Sequence, residues 1–312
     1  MKDKLVTLIG GGGFLGRYVA QELFAAGARV RIAQPRPRDA WFLKTQGGLG
    51  QSQFVAADVR MPETLVRALA GADMAVNLTG TFGPTMRAVH VEGARNVATA
   101  ARTAGVEALV HISALGADPA SPSTYGRTKG EGETALLQAY PNATVLRPST
   151  LFGREDMFVN RFAGLIAAAP LVPVLRGEAR FQPAYVADVA AAVVAALAEP
   201  DRHGGHVYEL GGPDIVSMAE LFRWIARTIG REARFLEIPD AVGAMIASLG
   251  ALPGAPITQD QWRMLQKDNV VSAGAEGFAA LGIVPTPLAS VAPAWLIRFR
   301  RQGRFGRPGN AA

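Results

Sequence analysis

The sequence contains no cysteine, which excludes disulfides, thiolate metal sites and a cysteine nucleophile. That absence leaves the compartment open, although a reduced cytoplasmic setting needs no further assumption. Charge is also scarce: 19% of residues are charged and 49% are apolar, a balance that excludes a mainly disordered chain. The sequence has no histidine-rich pair, no paired carboxylates and no GxSxG, so neither a metal site nor an acyl hydrolase is expected. Met1 to Lys4 lead straight into the apolar run Leu5–Ile9 with no apolar h-region or small-residue cleavage site, and no signal peptide is read. The longest uncharged stretch, Ala241–Gln259, has the length to cross a bilayer. It holds Gly243, Gly250, Pro253, Gly254 and Pro256, which break a lone spanning helix, so no transmembrane segment is expected.

The 312 residues, against roughly 150 per domain, suggest two lobes or one α/β unit with an appended part. From the start, β-branched runs alternate with helical patterns, the sign of βαβ units and a parallel sheet. Strands are expected at Leu5–Ile9, Arg29–Ala33, Gln53–Ala57, Met74–Leu78, Ala108–Ile112 and Ala143–Leu146. Helices are expected between them at Phe14–Ala26, Pro62–Ala70, Thr85–Ala104 and Ser123–Ala139. The fold class is therefore α/β, a Rossmann-type doubly wound parallel sheet. The sheet domain is expected over 1–150, with about 181–200 returning to it. A smaller, mainly helical lobe is expected over 151–297, packed over the carboxyl ends of the strands, with helices near Met157–Ala168, Ala187–Ala198, Met218–Ile229 and Ala241–Leu249. A basic tail is expected over 298–312.

The turn after the first strand carries GxxGxxG at Gly10, Gly13 and Gly16, and Phe14 and Leu15 open the helix that follows. Chance supplies roughly 0.4 such patterns in a chain with 35 glycines, so the letters alone mean little. Their place, after an apolar strand and at the start of an amphipathic helix, lets the backbone approach a pyrophosphate and aims helix N-terminal amides at its charge. About 20 residues on, where an NAD enzyme offers a carboxylate to the ribose, the chain reads Ala33-Gln34-Pro35-Arg36-Pro37-Arg38. A carboxylate would repel a 2′-phosphate, whereas Arg36 and Arg38 can fork onto one. NADP(H) is the preferred cofactor, and nearby Asp39 keeps NAD(H) open. Asp58-Val59 sits at the end of the third strand, where an adenine amino group would find an acceptor. Leu78-Thr79-Gly80 sits where the chain would pass the ribose and nicotinamide.

Tyr125 and Lys129 open the helix after the fifth strand and share a face at i, i+4. Only roughly 0.08 such pairs arise by chance here. Carbonyl reduction needs a proton donor, and positive charge from Lys129 and an oxidised nicotinamide would favour the phenolate of Tyr125, while Lys129 can also hold the nicotinamide ribose. Ser113, just after the fifth strand, is placed to orient a substrate carbonyl or to cap a turn. Arg147, Arg154, Arg161, Arg176 and Arg180 either receive phosphates or acidic headgroups or pair with Glu155, Asp156 and Glu178.

Together, Gly10-x-x-Gly13-x-x-Gly16, Asp58-Val59, Tyr125-x-x-x-Lys129, Leu146-Arg147-Pro148-Ser149 and Tyr185-Val186-x-Asp188-Val189-Ala190 resemble an extended or atypical short-chain dehydrogenase/reductase. Ser113 to Asp118, Arg147 to Gly153, Glu155 to Phe162, Gln182-Pro183 and Asp268 to Val271 narrow the resemblance to the subgroup of the NADPH-binding accessory subunit of complex I (NADH:ubiquinone oxidoreductase). The resemblance spans Leu5 to about Arg300. It implies a tightly held NADPH, with Pro148 and Ser149 joining the cofactor contacts, and attachment to a respiratory complex or its membrane without established turnover. Two positions depart from catalytic members: His90 stands where an Asn supports a proton relay, and Ile9 replaces a Thr before the glycine turn. Whether the protein is an enzyme, reducing an apolar carbonyl or a sterol- or quinone-like compound, or an NADPH-stabilised scaffold therefore stays open.

The net charge of +6 is concentrated in Arg298, Arg300, Arg301, Arg304 and Arg307. These arginines stand beside Trp295, Leu296, Ile297, Phe299 and Phe305, a pattern that suits an anionic membrane surface or an acidic partner. The rest of the chain is nearly neutral, so nucleic acid is not expected. The expected location is cytoplasmic, either free or peripheral on the cytoplasmic face of the inner membrane.

Overall fold

The computed structural model describes residues 1–250, 255, 257–301 and 303. Seven strands form one sheet: β1 (Leu5–Ile9), β2 (Arg29–Gln34), β3 (Ser52–Ala56), β4 (Met74–Asn77), β5 (Ala108–Ile112), β6 (Thr144–Pro148) and β7 (Val207–Leu210). Their order is β7-β6-β5-β4-β1-β2-β3, and every neighbouring pair is parallel. Five helices of eight residues or more belong with the sheet: α1 (Phe14–Ala25), α2 (Pro62–Leu69), α3 (Gly93–Thr103), α4 (Thr124–Ala139) and α5 (Val186–Ala198). Helices α1 and α5 pack together, while α2, α3 and α4 bury Leu65, Val97 and Leu136 with Ile9, Leu109 and Val145 of the strands. A sheet covered on both faces explains why β4 and β5 are buried at every position and read as apolar runs rather than alternating ones.

The six expected strands are present, their ends shifted by at most two residues. β7 was missed because four residues after a Gly-Gly step give too short a run to stand out. Order reverses between β2 and β4 on either side of β1, which opens a crevice at the carboxyl ends of β1 and β4, where such sheets take ligands. Arg31 on β2 shows how a buried cation is accommodated: its Nη1 donates to the carbonyls of Ala68 and Ala70, both at 2.8 Å. These are carbonyls at the carboxyl end of α2, where positive charge is favoured.

The chain divides into two compact units. The first comprises Met1–Pro148, Val186–Leu210 and Ser272–Val284; the second comprises Ser149–Tyr185, Gly211–Val271 and Pro285–Ala312. Ser272–Val284, expected in the smaller lobe, belongs to the first unit because it is bonded to β7. Glu209 N–H donates to the Glu276 carbonyl at 2.8 Å, and Ser272 N–H to Glu209 Oε2 at 2.8 Å.

The second unit holds helices at Val159–Ala168, Met218–Thr228 and Asp240–Ser248. It is less purely helical than expected, since three two-stranded pieces run through it: Leu151–Phe152 with Ala184–Tyr185, Arg180–Phe181 with Val216–Ser217, and Leu171–Leu175 with Arg234–Ile238. Its core joins Phe152, Ile166, Phe181, Leu221, Phe222 and Ile225. Helix Met218–Thr228 starts at a capping box in which Ser217 and Glu220 satisfy each other's backbone amides. Among the described residues, no helix is long and apolar enough to cross a membrane.

Candidate functional site

The glycine turn follows β1 directly. Gly10 has φ of +80°, a left-handed conformation that costs a side-chain-bearing residue energy. A Cβ on Gly16 would meet the Gly11 carbonyl oxygen at 2.3 Å, so only glycine lets α1 enter this close to the turn. The turn is pinned from β2: Gly12 N–H donates to Gln34 Oε1 at 2.9 Å, and Gln34 Nε2 donates to the Arg36 carbonyl at 2.8 Å. Gln34 thus fills the position where an NAD enzyme offers a carboxylate, with a neutral amide that supports the turn. The N-terminus of α1 has no side-chain cap, leaving its amides directed at the space beyond Gly13, where a Cβ would meet nothing nearer than 3.5 Å.

Around this turn lie the groups expected to meet the rest of a dinucleotide. Leu78 N–H donates to the Ile9 carbonyl at 2.9 Å, and Thr79 Cγ2 stands 3.2 Å from where a Gly10 Cβ would be, so the ends of β1 and β4 converge. Arg36 is exposed, with its guanidinium 3.0 Å from Asp39, whereas Arg38 lies over the Trp41 ring at 5.6 Å. Asp58 is less available than expected, because Arg60 clasps both its oxygens and this ion pair holds its carboxyl below the usual range. Val59 lends its carbonyl to Asn96 Nδ2 at 2.8 Å.

Lys129 is buried, and its Nζ donates to the Ile112 carbonyl at 3.1 Å and, more weakly, to the Thr79 carbonyl at 3.5 Å. Burial pushes its pKa down to about 8, against an opposing pull from Glu133 one helical turn away. Gly80 adjoins this ammonium, with a Cβ position 3.6 Å from Nζ. Tyr125 stacks on Phe82, ring centres 4.7 Å apart, and burial pushes its phenol up to about 12. Lys129 adds no lowering of its own at the phenol. The lysine is spent on backbone carbonyls, and desolvation dominates at the phenol.

His90 sits in a π-helical turn, Ala88–Glu92, a distortion common at functional sites. Its Nε2 accepts from Thr81 N–H at 3.0 Å and its Nδ1 lies 2.9 Å from Thr128 Oγ1. Since Thr81 N–H can only donate, Nε2 is the acceptor, and Nδ1 carries the proton toward Thr128. Burial and the Lys129 charge press its pKa down to about 3. The ring is a neutral strut holding the Thr81–Phe82 loop beside Tyr125.

Among the described residues, the buried polar atoms without a partner include a cluster of three at the sheet: Ser113 Oγ, Asn77 Nδ2 and His111 Nδ1. All lie on or just after β4 and β5. An orphaned buried hydroxyl costs roughly 1–3 kcal/mol, which makes Ser113 Oγ a candidate to bond a ligand. The glycine turn, the uncapped helix and these atoms fit a dinucleotide lying across the strand ends.

Several expected contacts prove structural. Arg147 is clasped by Glu133, at 2.6 and 2.9 Å, and reaches Glu209 at 3.5 Å. Arg176 pairs with Asp240, and Arg180 with Asp268, so the partners of these three are not Glu155, Asp156 or Glu178. The Pro148 carbonyl accepts from Leu115 N–H at 3.0 Å. Ser149 Oγ, expected at the cofactor, donates to Asn269 Oδ1 at 2.6 Å. The late motif Asp268 to Val271 thus staples its own unit, with Gln182 Oε1 accepting from Val271 N–H at 3.0 Å. Just before the basic tail Leu296 is fully buried, and Trp295 and the tail's own Phe299 pack on the same core, so these aromatic residues belong to the fold. Arg304, Phe305 and Arg307 lie outside the described residues.

The sequence reading missed Gln34, Thr128 and Phe82. Gln34 was legible as the end of β2 and Thr128 lies inside the Tyr125–Lys129 motif, but Phe82, in an irregular loop, carried no signal.

Residues 6–211 match the family model described as the NAD dependent epimerase/dehydratase family. The NADH dehydrogenase (ubiquinone) 1 alpha subcomplex subunit 9, mitochondrial, of Arabidopsis thaliana is 32% identical across 97% of this chain and 80% of its own length. A ceramide reductase of Caulobacter vibrioides is 28% identical across 81% of this chain and 80% of its own. Among solved structures, an NADPH-dependent quinone oxidoreductase from Escherichia coli, complexed with NADPH, has a TM-score of 0.74 at 23% identity, covering 93% of this chain and 99% of that one.

Proposed function

The chain belongs to the NAD dependent epimerase/dehydratase family and, within it, to the relatives of the complex I alpha subcomplex subunit 9; on that premise we propose that it is an NADP(H)-binding protein attached to a respiratory complex or to quinone metabolism at the membrane. The observation that carries the cofactor reading is the end of β2, where Gln34 and exposed Arg36 stand in place of a carboxylate. Arg36, joined by Arg38 if it leaves Trp41, would neutralise a 2′-phosphate. Gly10, Gly13, Phe14, Leu15 and Gly16 would receive the pyrophosphate on the α1 amides. Leu78, Thr79 and Gly80 would line the nicotinamide half, with Lys129 bonding the ribose. The attachment rests on the relatives and on Arg298, Arg300 and Arg301, with Arg304 and Arg307 as expected members of the same tail.

Binding without turnover is favoured by Lys129, whose ammonium is held by the Ile112 and Thr79 carbonyls. The partnerless Ser113 hydroxyl favours a second reading, an NADPH-dependent reductase of an apolar carbonyl or quinone-like compound. Bound NADPH would supply the hydride. Tyr125, protonated at neutral pH, holds the proton that a reduced carbonyl oxygen requires, and Ser113 Oγ donates a hydrogen bond that fixes that oxygen.

Mass spectrometry of small molecules released from the purified protein tests both readings. NADP(H) alone supports the binding role, and an apolar carbonyl or alcohol beside it supports the reductase. The absence of any dinucleotide from protein purified without dialysis, together with no uptake of added NADPH, refutes both.

A further inference from the structure

The second unit carries an open groove of about 800 Å³ that plays no part in the dinucleotide site. Arg223, Arg227, Arg231 and Arg234 line it, and Glu232 is the one acid among its lining residues. Arg223 and Arg227 stand one turn apart on helix Met218–Thr228, where like charges repel. Among the described residues Arg223, Arg227 and Arg234 form no salt bridge, although Arg223 lies close enough to Glu220, one turn before it, to help the Ser217 hydrogen bonds hold that carboxyl below its usual range. The lining also has apolar surface: Leu171, 54% exposed, and the partly buried Phe235 stand among the arginines that line the groove. The basic segment that closes the described chain is fixed beside the same helix, since Arg300 Nη2 donates to the Thr228 carbonyl at 3.3 Å and Arg231 to the Phe299 carbonyl at 3.4 Å.

Four cations beside apolar surface fit a ligand with one anionic head and a hydrocarbon body. We propose that this groove docks the protein on anionic phospholipid of a bilayer surface, the phosphate held by Arg223, Arg227 and Arg234 and the glycerol and first acyl methylenes lying on Leu171 and Phe235. Guanidinium groups fork onto phosphate oxygens, and each basic residue near an anionic surface strengthens binding about fivefold. Charge complementarity alone would also suit an acidic protein surface; the exposed Leu171 among the arginines favours lipid. This deepens the membrane attachment proposed above and rests on that reading, while leaving the dinucleotide site untouched.

The test is flotation of the full chain with vesicles of phosphatidylglycerol and phosphatidylcholine, against phosphatidylcholine alone, over a range of salt. Arg223→Gln/Arg227→Gln/Arg234→Gln spares Arg231, which holds Phe299. The wild type should bind the anionic vesicles only, and the triple variant at least tenfold more weakly with a flatter salt dependence, its circular dichroism and NADPH affinity unchanged. Leu171→Ser/Phe235→Ser should weaken binding without changing the salt slope. Equal flotation with neutral vesicles, no flotation at all, or a triple variant as good as wild type overturns the groove. So does loss of binding on Arg298→Gln/Arg301→Gln while the triple variant binds normally. Loss of NADPH affinity in wild type would refute the cofactor reading alone.

Discussion

The Lys129 ammonium donates to the Ile112 carbonyl oxygen at 3.1 Å, one residue before the partnerless hydroxyl of Ser113. The bond fixes α4 to the end of β5 and keeps a cation, largely stripped of water, beside Gly80. In the unfolded chain this amine titrates near its ordinary value; in the fold it titrates at about 8. The unfolded state therefore binds more protons between about pH 8 and 10.5, and stability should rise with pH across that window, by up to about 3 kcal/mol. Tyr125, shifted upward, acts with the opposite sign only above pH 10.

Lys129→Met should remove that rise. Its melting temperature at pH 7 should be no lower than that of the wild type, because a poorly solvated charge has gone, while NADPH affinity should fall at least tenfold. Chemical denaturation between pH 7 and 10, followed by NADPH titration at pH 7, measures both. A variant that melts well below wild type at pH 7 yet binds NADPH normally would make Lys129 purely structural.

His90 sets the behaviour in acid. Its folded pKa of about 3 lies below the ordinary 6.5, so the unfolded state takes up the proton first and stability falls as pH drops from 6.5 toward 3. The loss attributable to this ring is up to about 5 kcal/mol. His90→Asn, which can still accept from Thr81 and donate to Thr128, should lose visibly less over the same range; buried His111, also shifted downward, leaves part of the slope in place. Parallel slopes for the two proteins would remove His90 as the source.

Tyr125→Phe separates binding from chemistry. The Phe82 stack survives the change, so NADPH affinity should stay within about twofold. If a panel of carbonyls and quinones reveals NADPH oxidation by the wild type, the variant should lose about 100-fold or more in kcat, the range general-acid removal commands. Unaltered kcat would take Tyr125 out of the reaction.

Much of the first unit was legible because its signals are local. Runs of four or five residues named six strands, and a glycine turn between a strand and a helix named the crevice. What stayed hidden depended on residues distant in sequence. Ser149 looked like a cofactor contact until Asn269, 120 residues away, proved to hold its hydroxyl. Arg147 looked like a phosphate ligand until Glu133 and Glu209 met it across α4 and β7. Lys129 and Tyr125 were named correctly as neighbours on a helix face, but the electrostatic sense of the pair depends on burial, which spacing does not report. Summed charge misled in the same way: a chain nearly neutral before Arg298 still gathers four arginines around one groove.

The central claim, that the first unit holds NADP(H) with Arg36 reading its 2′-phosphate, is tested most directly by calorimetric titration of NADPH and NADH into the dinucleotide-free wild type and Arg36→Glu. The account predicts that the wild type binds NADPH at least tenfold more tightly than NADH, and that the variant narrows or reverses the preference chiefly by losing NADPH. Equal affinities for the two dinucleotides, unchanged by the substitution, would contradict it.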